Sequence, residues 1–350
     1  MGVGRVVALR AASLALTLIG VVLITAIIVG PTSDRVLGAI INEQVRAFSQ
    51  ALRSRAAGTQ NLTEIQLAVD QYRESLIRAY GLDRPWYMRI FPLALTILTL
   101  NLGTSTEVQS FSGSIQVRDI ILERIPPTLA VVTTATVIQI LVGLYIGTLL
   151  AYRRGSFLDR FFSVYAAVSY ATPAWWLGLF LIFLFVYRIP IFPVPSGLYS
   201  PHPPAAPLLR FLDLMAHAAL PITALVFATL GAFIYITRTL VLRIVEEDYV
   251  YLAKAKGLPQ NSILRSYVMR AAAPPLVTIA ALNLAGSLGG AVITETIFNW
   301  PGLGLLTLQA IEANSEALIL GLTYILASVY VMTRLALEVA YVFLDPRVRY

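Results

Sequence analysis

The chain alternates long apolar stretches with shorter polar ones, and six of the apolar stretches are long enough to cross a lipid bilayer as helices. The first of them ends at Gly30-Pro31 without a small-x-small cleavage site, which favours a retained helix over a signal peptide. The pattern predicts an all-α integral membrane protein with six transmembrane helices. The predicted spans are 8–29, 127–152, 161–187, 219–242, 276–294 and 317–343.

These spans divide the chain into three parts. We expect an N-terminal transmembrane helix at 1–30, an extracytoplasmic segment at 31–126, and a core of five spans at 127–350. The core includes a polar loop at 243–275, between the fourth and fifth spans. The segment between the first two spans is long enough to fold outside the membrane.

The extracytoplasmic segment has a mainly helical pattern. Thr63 and Gln66 form a capping box, and apolar positions then recur at helical spacing up to Tyr80-Gly81. The apolar stretch 90–102 is too short to cross a bilayer, so interfacial, re-entrant and buried placements stay open. A sequon at Asn61 leaves glycosylation undecided. Farther along the chain, the proline-rich outer loop 189–207 is expected to be a stiff, non-helical lid.

The composition supports a membrane protein and limits its chemistry. Apolar residues make up 57% of the chain and charged residues 13%, whereas soluble domains have about 45–50% and about 25%. The absence of cysteine excludes disulfides and thiolate sites. Because His202 and His217 are the only histidines, we expect no metal site.

The basic residues determine the expected orientation. The net charge of +7 does not require nucleic acid as a partner, because Lys and Arg collect in the loops on one side of the predicted spans. The positive-inside rule makes that side cytoplasmic and places both termini there, in a multi-pass protein of the cell membrane. The basic residues on that side are Arg5, Arg10, Arg153, Arg154, Arg160, Arg238, Arg243, Lys254, Lys256, Arg265, Arg270, Arg347 and Arg349.

The chain contains no sequence motif for binding ATP or for hydrolysis. Its two lysines, Lys254 and Lys256, each follow alanine, so no phosphate-binding loop of the G-x-x-x-x-G-K type exists. No nucleophile elbow or zinc-binding His-Glu-x-x-His helix occurs either, and we expect no enzymatic activity. Within the predicted spans, Arg334 and Glu338 form a charged pair one helical turn apart. Mutual neutralisation, or a contact with a partner subunit, explains this pair better than a proton or ion relay, because paired charges cost less in lipid.

Small and polar residues in the spans predict helix packing. Gly143 and Gly147, and also Gly286 and Gly290, have the G-x-x-x-G spacing that favours close helix contacts. Asn283 in the fifth span suits either a contact with a ligand or a hydrogen bond between helices, and the second role is more common.

The polar loop 243–275 is the most informative part of the chain. Acidic residues from Glu246 to Asp248 and the basic Lys254 and Lys256 match the dipole of a helix that stops at Gly257. A second short helix should follow and end at Pro274-Pro275. This arrangement predicts a compact helix-turn-helix on the cytoplasmic side, either a docking surface or a solvated loop.

The loop resembles the EAA coupling loop of binding-protein-dependent ABC importers, in the version found in the dipeptide/oligopeptide permease family. Tyr251 and Leu252 replace the first two residues of the EAA motif. The stretch 294–304 resembles an outer-loop motif of the same family, with Glu295, Trp300, Pro301, Gly302 and Gly304 at its matching positions. The matching residues of the coupling loop are Asp248, Tyr249, Ala253, Lys254, Ala255, Lys256, Gly257, Leu258, Arg270 and Pro275.

Further stretches resemble the family in the same order, among them 82–85, 102–105, 123–129, 153–160 and the terminal 344–350. The resemblance is close from about residue 120 to the end, whereas 34–80 and 90–102 fit poorly. These departures affect the expected docking surface for an outer binding protein and the class of ligand. They do not affect the expected coupling loop.

The resemblance implies a type I ABC importer permease fold and a set of partners. This chain would pair with a second homologous permease subunit, above two cytoplasmic ABC ATPase subunits that bind ATP and Mg²⁺. An extracellular solute-binding protein would deliver the ligand. The chain itself would bind no cofactor.

The substrate stays open at this point. The resemblance favours dipeptides and oligopeptides, while related systems import oligosaccharides or metal chelates. The competing class is an ion-coupled secondary carrier, which would transport without ATP and should show an internal repeat with broken helices. No convincing repeat is visible in the chain.

Overall fold

The computed structural model describes residues 3–55, 62–85, 87–88, 95, 99, 101–105 and 107–344. Across these residues the regular structure is helical, apart from an isolated antiparallel bridge between Thr104 and Gln116. The predicted stretch 90–102 and the sequon residue Asn61 lie largely outside the described residues. The helices are α1 (Val3–Arg55), α2 (Leu62–Ala79), α3 (Val117–Tyr152), α4 (Phe157–Ala171), α5 (Ala174–Arg188), α6 (Pro207–Val245), α7 (Asp248–Ala255), α8 (Gln260–Ser287), α9 (Val292–Ile297), α10 (Leu303–Glu312) and α11 (Glu316–Leu344).

Four of the described helices are long and apolar enough to cross a membrane: α3, α6, α8 and residues 316–340 of α11. The helices α4 and α5 form a fifth crossing only if they count as one bent span, because they meet at an angle of 93°. The single predicted span at 161–187 is therefore broken. Pro173 has no N–H to donate and favours an extended residue before it, and Thr172 has φ −96° and ψ 114°.

The first helix is longer than its apolar stretch. α1 continues past Gly30-Pro31 to Arg55, although its described apolar part, Ala12–Ile28, covers only one third of the helix. The part of α1 beyond Pro31 contacts α2. The rings of Phe48 and Tyr72 lie 4.3 Å apart, between centroids.

The predicted amphipathic helix is confirmed as α2. It ends where the sequence indicates, because Gly81 adopts a left-handed conformation with φ 68°. The Thr63 and Gln66 capping box does not form, since both residues lie inside the helix and the Gln66 amide donates to Asp70 at 3.3 Å. The proline-rich loop is also confirmed to be non-helical between Arg188 and Pro207.

The chain divides into two compact units. The first contains Met1–Leu14, Ile121–Leu308 and Ser328–Tyr350, and the second contains Ala15–Ile120 and Gln309–Ala327. Within the second unit, the Ser315 hydroxyl donates to the Ser105 hydroxyl at 3.1 Å.

The first unit is built around α3 and α6, which pack along a glycine seam. A Cβ atom on Gly143 would lie 2.6 Å from the Phe233 ring, and one on Gly147 would lie 2.6 Å from Cβ of Thr237. The predicted seam at these two glycines is confirmed. The second predicted seam is wrong, because α8 ends at Ser287 and Gly290 therefore lies beyond the helix that carries Gly286.

The polar loop passes into the next span without the predicted helix end at Pro274-Pro275. α8 contains a π-helical turn at Leu264–Met269 and then continues through both prolines. In apolar surroundings, local π turns and hydroxyl side chains satisfy the backbone groups that a proline leaves free. The Thr278 hydroxyl donates to the Pro274 carbonyl at 2.7 Å, within the helical turn that follows the two prolines.

Candidate functional site

The first candidate site is the coupling segment, which we define as residues 243–275. It leaves the end of α6, forms the helix α7, turns at Gly257 and enters α8 at Gln260. Asp248 lies in the first turn of α7 and Lys254 in its last turn, so both charges favour the helix dipole. The predicted first helix of the loop is confirmed.

Gly257 ends α7 through its backbone conformation. Its φ is 69°, and its N–H donates to the Lys254 carbonyl at 2.9 Å. The Leu258 N–H donates to the Ala253 carbonyl at 3.4 Å, which completes a Schellman motif. No atom lies within 4 Å of the position of a Cβ on Gly257, so this residue is required for its left-handed φ and not for space.

The coupling segment has a buried and an exposed apolar face. Val250, Ala253 and Val268 pack in one apolar cluster with Ala151 of α3 and Val241 of α6. The opposite side of α7 presents apolar and aromatic surface: 75% of Tyr251 and 55% of Leu252 are exposed. The remaining matched residues, Asp248, Tyr249, Lys254, Ala255, Lys256 and Arg270, are also exposed, and Leu258 and Pro275 are half-buried.

Two ion pairs link the helices near the coupling segment. Arg238 of α6 donates through Nε and Nη2 to the Asp159 carboxylate of α4, at 2.6 and 2.9 Å, and this pair is largely buried. Arg154 and Glu246 form an exposed pair at 2.7 Å. Sequence reasoning did not pair Asp159 with Arg238. The signal was a carboxylate in the first turn of an apolar helix, where burial requires a partner.

The second candidate site surrounds the motif that the sequence analysis expected in an outer loop. We call it the outer network and define it as Glu295, Trp300, Gly302 and Gly304 with Thr128. Glu295 of α9 is only 1% exposed. Its carboxylate accepts hydrogen bonds from the Leu305 N–H at 2.9 Å, the Ala291 N–H at 3.3 Å and the Thr128 hydroxyl at 3.4 Å. One buried carboxylate therefore joins the N-terminus of α9, the start of α10 and the first third of α3.

Close packing completes the outer network. The Trp300 indole N–H donates to the Pro127 carbonyl at 2.7 Å, and the Leu303 N–H donates to the Thr128 hydroxyl oxygen at 2.7 Å. A Cβ on Gly302 would lie 2.5 Å from Thr128 Oγ1 and 2.6 Å from Glu295 Oε2. Pro301 is half-buried beside these contacts. The five matched residues of the outer-loop motif thus belong to one structural unit.

Burial raises the pKa of the Glu295 carboxyl above its ordinary value. Hydrogen bonds from the N–H groups of Leu305, Ala291 and Gly304 and from the Thr128 hydroxyl oppose this shift. Thr128 was part of a stretch that resembles the family, but its contact with Glu295 spans 167 residues of sequence and has no local signal.

The polar residues predicted inside the spans make local contacts. Asn283 donates to the Ile279 carbonyl of its own helix at 2.8 Å. The predicted hydrogen bond between helices is therefore replaced by a bond within one helix. The Arg334 guanidinium lies 5.9 Å from the centroid of the Tyr330 ring. In the described part of the chain, no three His, Asp or Glu side chains come together as metal ligands.

Comparison with known proteins places the chain in a family. Residues 139–350 match a family that is described as "binding-protein-dependent transport system inner membrane component". A probable peptide ABC transporter permease of Sinorhizobium fredii is 30% identical over 283 residues, covering 81% of this chain and 87% of the relative. A probable D,D-dipeptide transport permease of Escherichia coli is 31% identical, covering 80% and 85%, and an oligopeptide transport permease of Bacillus subtilis is 29% identical, covering 79% and 85%. This chain belongs to the family of binding-protein-dependent transport system inner membrane components.

Proposed function

We propose that this chain is one of two permease subunits in an ATP-driven importer of dipeptides or oligopeptides. It has six transmembrane helices in a type I importer fold, and it binds no ATP itself. A second homologous permease subunit lies beside it, two ATPase subunits below it, and a solute-binding protein on the outer side. The organisation into 1–30, 31–126 and 127–350 is part of this proposal.

The coupling segment carries the proposal. Its inner face is fixed by Val250, Ala253 and Val268, so α7 moves with the cytoplasmic ends of α3 and α6. The opposite side of α7 exposes Tyr251 and Leu252. Adjacent apolar side chains on a surface are more typical of an interaction site than of a loop that contacts only solvent. One side of α7 is packed against this chain, and the other side leaves apolar surface exposed. Such a helix can dock in a groove on a partner protein. We assign this groove to the ATPase subunits.

The orientation follows from charge. Arg238, Arg243, Lys254, Lys256 and Arg270 lie in or next to the coupling segment, and basic residues near span ends favour the cytoplasmic side. Both termini are then cytoplasmic, and the proline-rich loop 189–207 and the outer network face outward.

The substrate class rests on the relatives. The similar proteins of Sinorhizobium fredii, Escherichia coli and Bacillus subtilis are named for peptides, dipeptides or oligopeptides. We therefore propose peptides as the substrate and use oligosaccharides and metal chelates as comparison ligands in the test.

The proposal is tested in lipid vesicles that contain the whole complex, with the ATPases, sister permease and binding protein encoded by neighbouring genes. We expect a peptide pool to stimulate ATP hydrolysis and to be taken up, while an oligosaccharide pool and a nickel chelate do neither. Stimulation by sugars or by the chelate would overturn the peptide assignment. Uptake that does not depend on ATP would overturn the importer assignment and favour a secondary carrier.

The role of the coupling segment is tested at Gly257. A valine in the left-handed conformation costs about 1–2 kcal/mol, because its branched Cβ crowds the backbone. We expect Gly257→Val to insert into the membrane and to lose the coupling of uptake to ATP hydrolysis. Gly257→Asn is the matched control, because asparagine tolerates this φ and no atom lies within 4 Å of its Cβ position. Normal peptide uptake by Gly257→Val would refute the assignment.

A further inference from the structure

Two cavities lie side by side among the spans of the first unit. One has a volume of about 380 Å³ and lies between α3, α6 and α8, and the other has a volume of about 370 Å³ and extends to the end of α4. Both are lined by Gln139, Thr229 and Asn283. Each volume lies in the range of about 300–1,000 Å³ that is typical of pockets for small molecules.

The shared residues come from three helices and lie at a similar depth. Gln139 lies 13 residues before Tyr152, the end of α3, and Asn283 lies 13 residues after Arg270 of the coupling segment. At about 1.5 Å per residue, Gln139 lies roughly 20 Å from Tyr152, and Asn283 lies roughly 20 Å from Arg270. This distance corresponds to the inner part of a hydrocarbon layer about 30 Å thick.

Gln139 carries an unused side-chain amide. It is only 8% exposed, and its amide forms no hydrogen bond with any residue in the described ranges. The amide atoms of Gln139 are not fully enclosed by the protein, unlike the Thr237 hydroxyl, so they are accessible from the cavities. Because this amide lines both cavities, a ligand or water in the cavities can supply the missing bonds.

The other shared residues offer acceptors. Asn283 uses its amide N–H for the Ile279 carbonyl, which leaves its Oδ1 to accept from a ligand. Thr229 donates its hydroxyl to the Leu225 carbonyl at 2.8 Å, and its oxygen also keeps a lone pair. A Cβ on Gly286, one turn after Asn283, would meet no atom within 4 Å, so this face of α8 is open.

The described lining of both cavities contains no Asp, Glu, Lys, Arg or His. A charged ligand group would therefore find no partner charge there, whereas an amide would find both donors and acceptors. The main chain of a peptide repeats one N–H and one C=O at every residue. Apolar lining residues such as Leu225 and Ala232 can accommodate varied peptide side chains.

We propose that Gln139, Thr229 and Asn283 form an uncharged contact site in the spans that hydrogen-bonds to the main-chain amides of a peptide during transport. This inference rests on the proposed function. It assigns transport residues that are separate from the coupling segment. It also implies that peptides of opposite net charge use the site equally well.

The absence of native cysteine in this chain makes a labelling test direct. We would prepare Gln139→Cys, Asn283→Cys and, as a control, Thr223→Cys in the complete complex in lipid vesicles. Thr223 is a half-buried threonine of α6 that donates to its own helix at Ala219, as Thr229 does at Leu225, but it lines neither cavity. Labelling by a charged, water-soluble methanethiosulfonate would be read from the mass of this chain, with and without ATP.

We expect the reagent to modify Gln139→Cys and Asn283→Cys in at least one nucleotide state, and to leave Thr223→Cys unmodified. Excess transported peptide should slow the modification, and modification should reduce uptake. Gln139→Leu should reduce uptake of a neutral tripeptide roughly fivefold, as expected for the loss of one hydrogen bond, with equal losses for cationic and anionic tripeptides. Thr223→Val should leave uptake unchanged.

Contradictory results are distinguishable. If the wild-type complex imports peptide while neither cavity position is modified in any nucleotide state, the contact site is refuted and the proposed function stands. If the positions are modified and protected by an oligosaccharide but not by peptide, the main-chain assignment is refuted together with the peptide substrate. A loss of uptake in Gln139→Leu that affects only peptides of one charge sign would refute the uncharged recognition.

Discussion

The coupling segment and the outer network contain the two most specific motifs of the chain, and glycine serves opposite purposes in them. Gly257 has a left-handed φ of 69° and open space where its Cβ would be. Gly302 has no such backbone requirement, but a Cβ there would lie 2.5 Å from Thr128 Oγ1. The first glycine shapes an exposed turn, and the second permits interior contact. A glycine in a motif can therefore indicate either a backbone conformation or close packing.

The same contrast applies to the charged residues. Glu295 of the outer network is buried among hydrogen-bond donors, whereas Lys254 and Lys256 of the coupling segment are exposed. Substitutions in the outer network should therefore affect stability first and transport second. Substitutions on the exposed face of α7 should affect transport while leaving stability unchanged.

The largest stability effect is expected at the buried ion pair beneath the coupling segment. Asp159→Asn removes the charge that compensates the Arg238 guanidinium, whose side chain is only 20% exposed. Leaving a mostly buried charge without its partner should cost about 3 kcal/mol of unfolding free energy. Thermal unfolding in lipid nanodiscs would measure this loss.

Glu246→Gln is the matched control, because it removes an ion pair of similar length, 2.7 Å, whose side chains are 66% and 63% exposed. We expect at most about 1 kcal/mol for this exposed pair. Equal losses in both variants would contradict the contrast between buried and exposed contacts.

The outer network should respond next most strongly to Gly302→Ala. The new methyl group cannot fit between Thr128 and Glu295 without moving them, so we expect a loss of about 2 kcal/mol. Gly38→Ala in α1 is the control, because no atom lies within 4 Å of its Cβ position and alanine favours the helix. The two variants would be compared by thermal unfolding, and a tolerated Gly302→Ala would show that the network is loosely packed.

A smaller effect should appear as pH dependence at Glu295. Burial raises the folded-state pKa of this carboxyl, so its stabilising contribution is complete below the unfolded-state pKa and is lost as pH rises through the folded-state pKa. Glu295→Gln does not titrate and costs about 1 kcal/mol, because its NH₂ faces backbone N–H donors. The stability advantage of the wild type over the variant should therefore shrink as the pH rises from the unfolded-state pKa of the carboxyl through its folded-state pKa. A difference that widens with pH would mean that the hydrogen bonds outweigh burial.

The smallest stability effect is expected on the exposed face of α7. Leu252→Ser should change unfolding by no more than about 0.5 kcal/mol, yet it should reduce peptide-stimulated ATP hydrolysis about tenfold, as for an interface anchor. Leu208→Ser is the control, because this leucine at the start of α6 is similarly exposed and lies outside the coupling segment. Equal ATPase activity in both variants would remove α7 from the proposed interface.

Local sequence signals were sufficient to predict several helices and the residues at which they end. The amphipathic helix α2, its stop at Gly81, the helix α7 and its stop at Gly257 all follow from periodicity, charge placement and glycine chemistry. These features depend on residues that are neighbours in sequence. The apolar stretches likewise located the four long spans, although the predicted six reduce to four or five in the described residues.

Proline was the least reliable local signal. Pro173 breaks a predicted span, whereas Pro31 and the pair at 274–275 lie inside continuous helices. The pair at 274–275 follows a π-helical turn at Leu264–Met269, and local turns of this kind can satisfy the backbone groups that a proline leaves free. A sequence pattern contains the proline but not this compensation.

Composition, periodicity and charge placement were enough to establish a helical membrane protein with a basic coupling segment, because each residue contributes to these properties through its own chemistry. The pairing of Asp159 with Arg238, the bond from Thr128 to Glu295 and the convergence of Gln139, Thr229 and Asn283 required the folded chain. These contacts join residues up to 167 positions apart. Their existence depends on how whole helices pack, where the close approach of backbones at Gly143 and Gly147 selects which side chains meet.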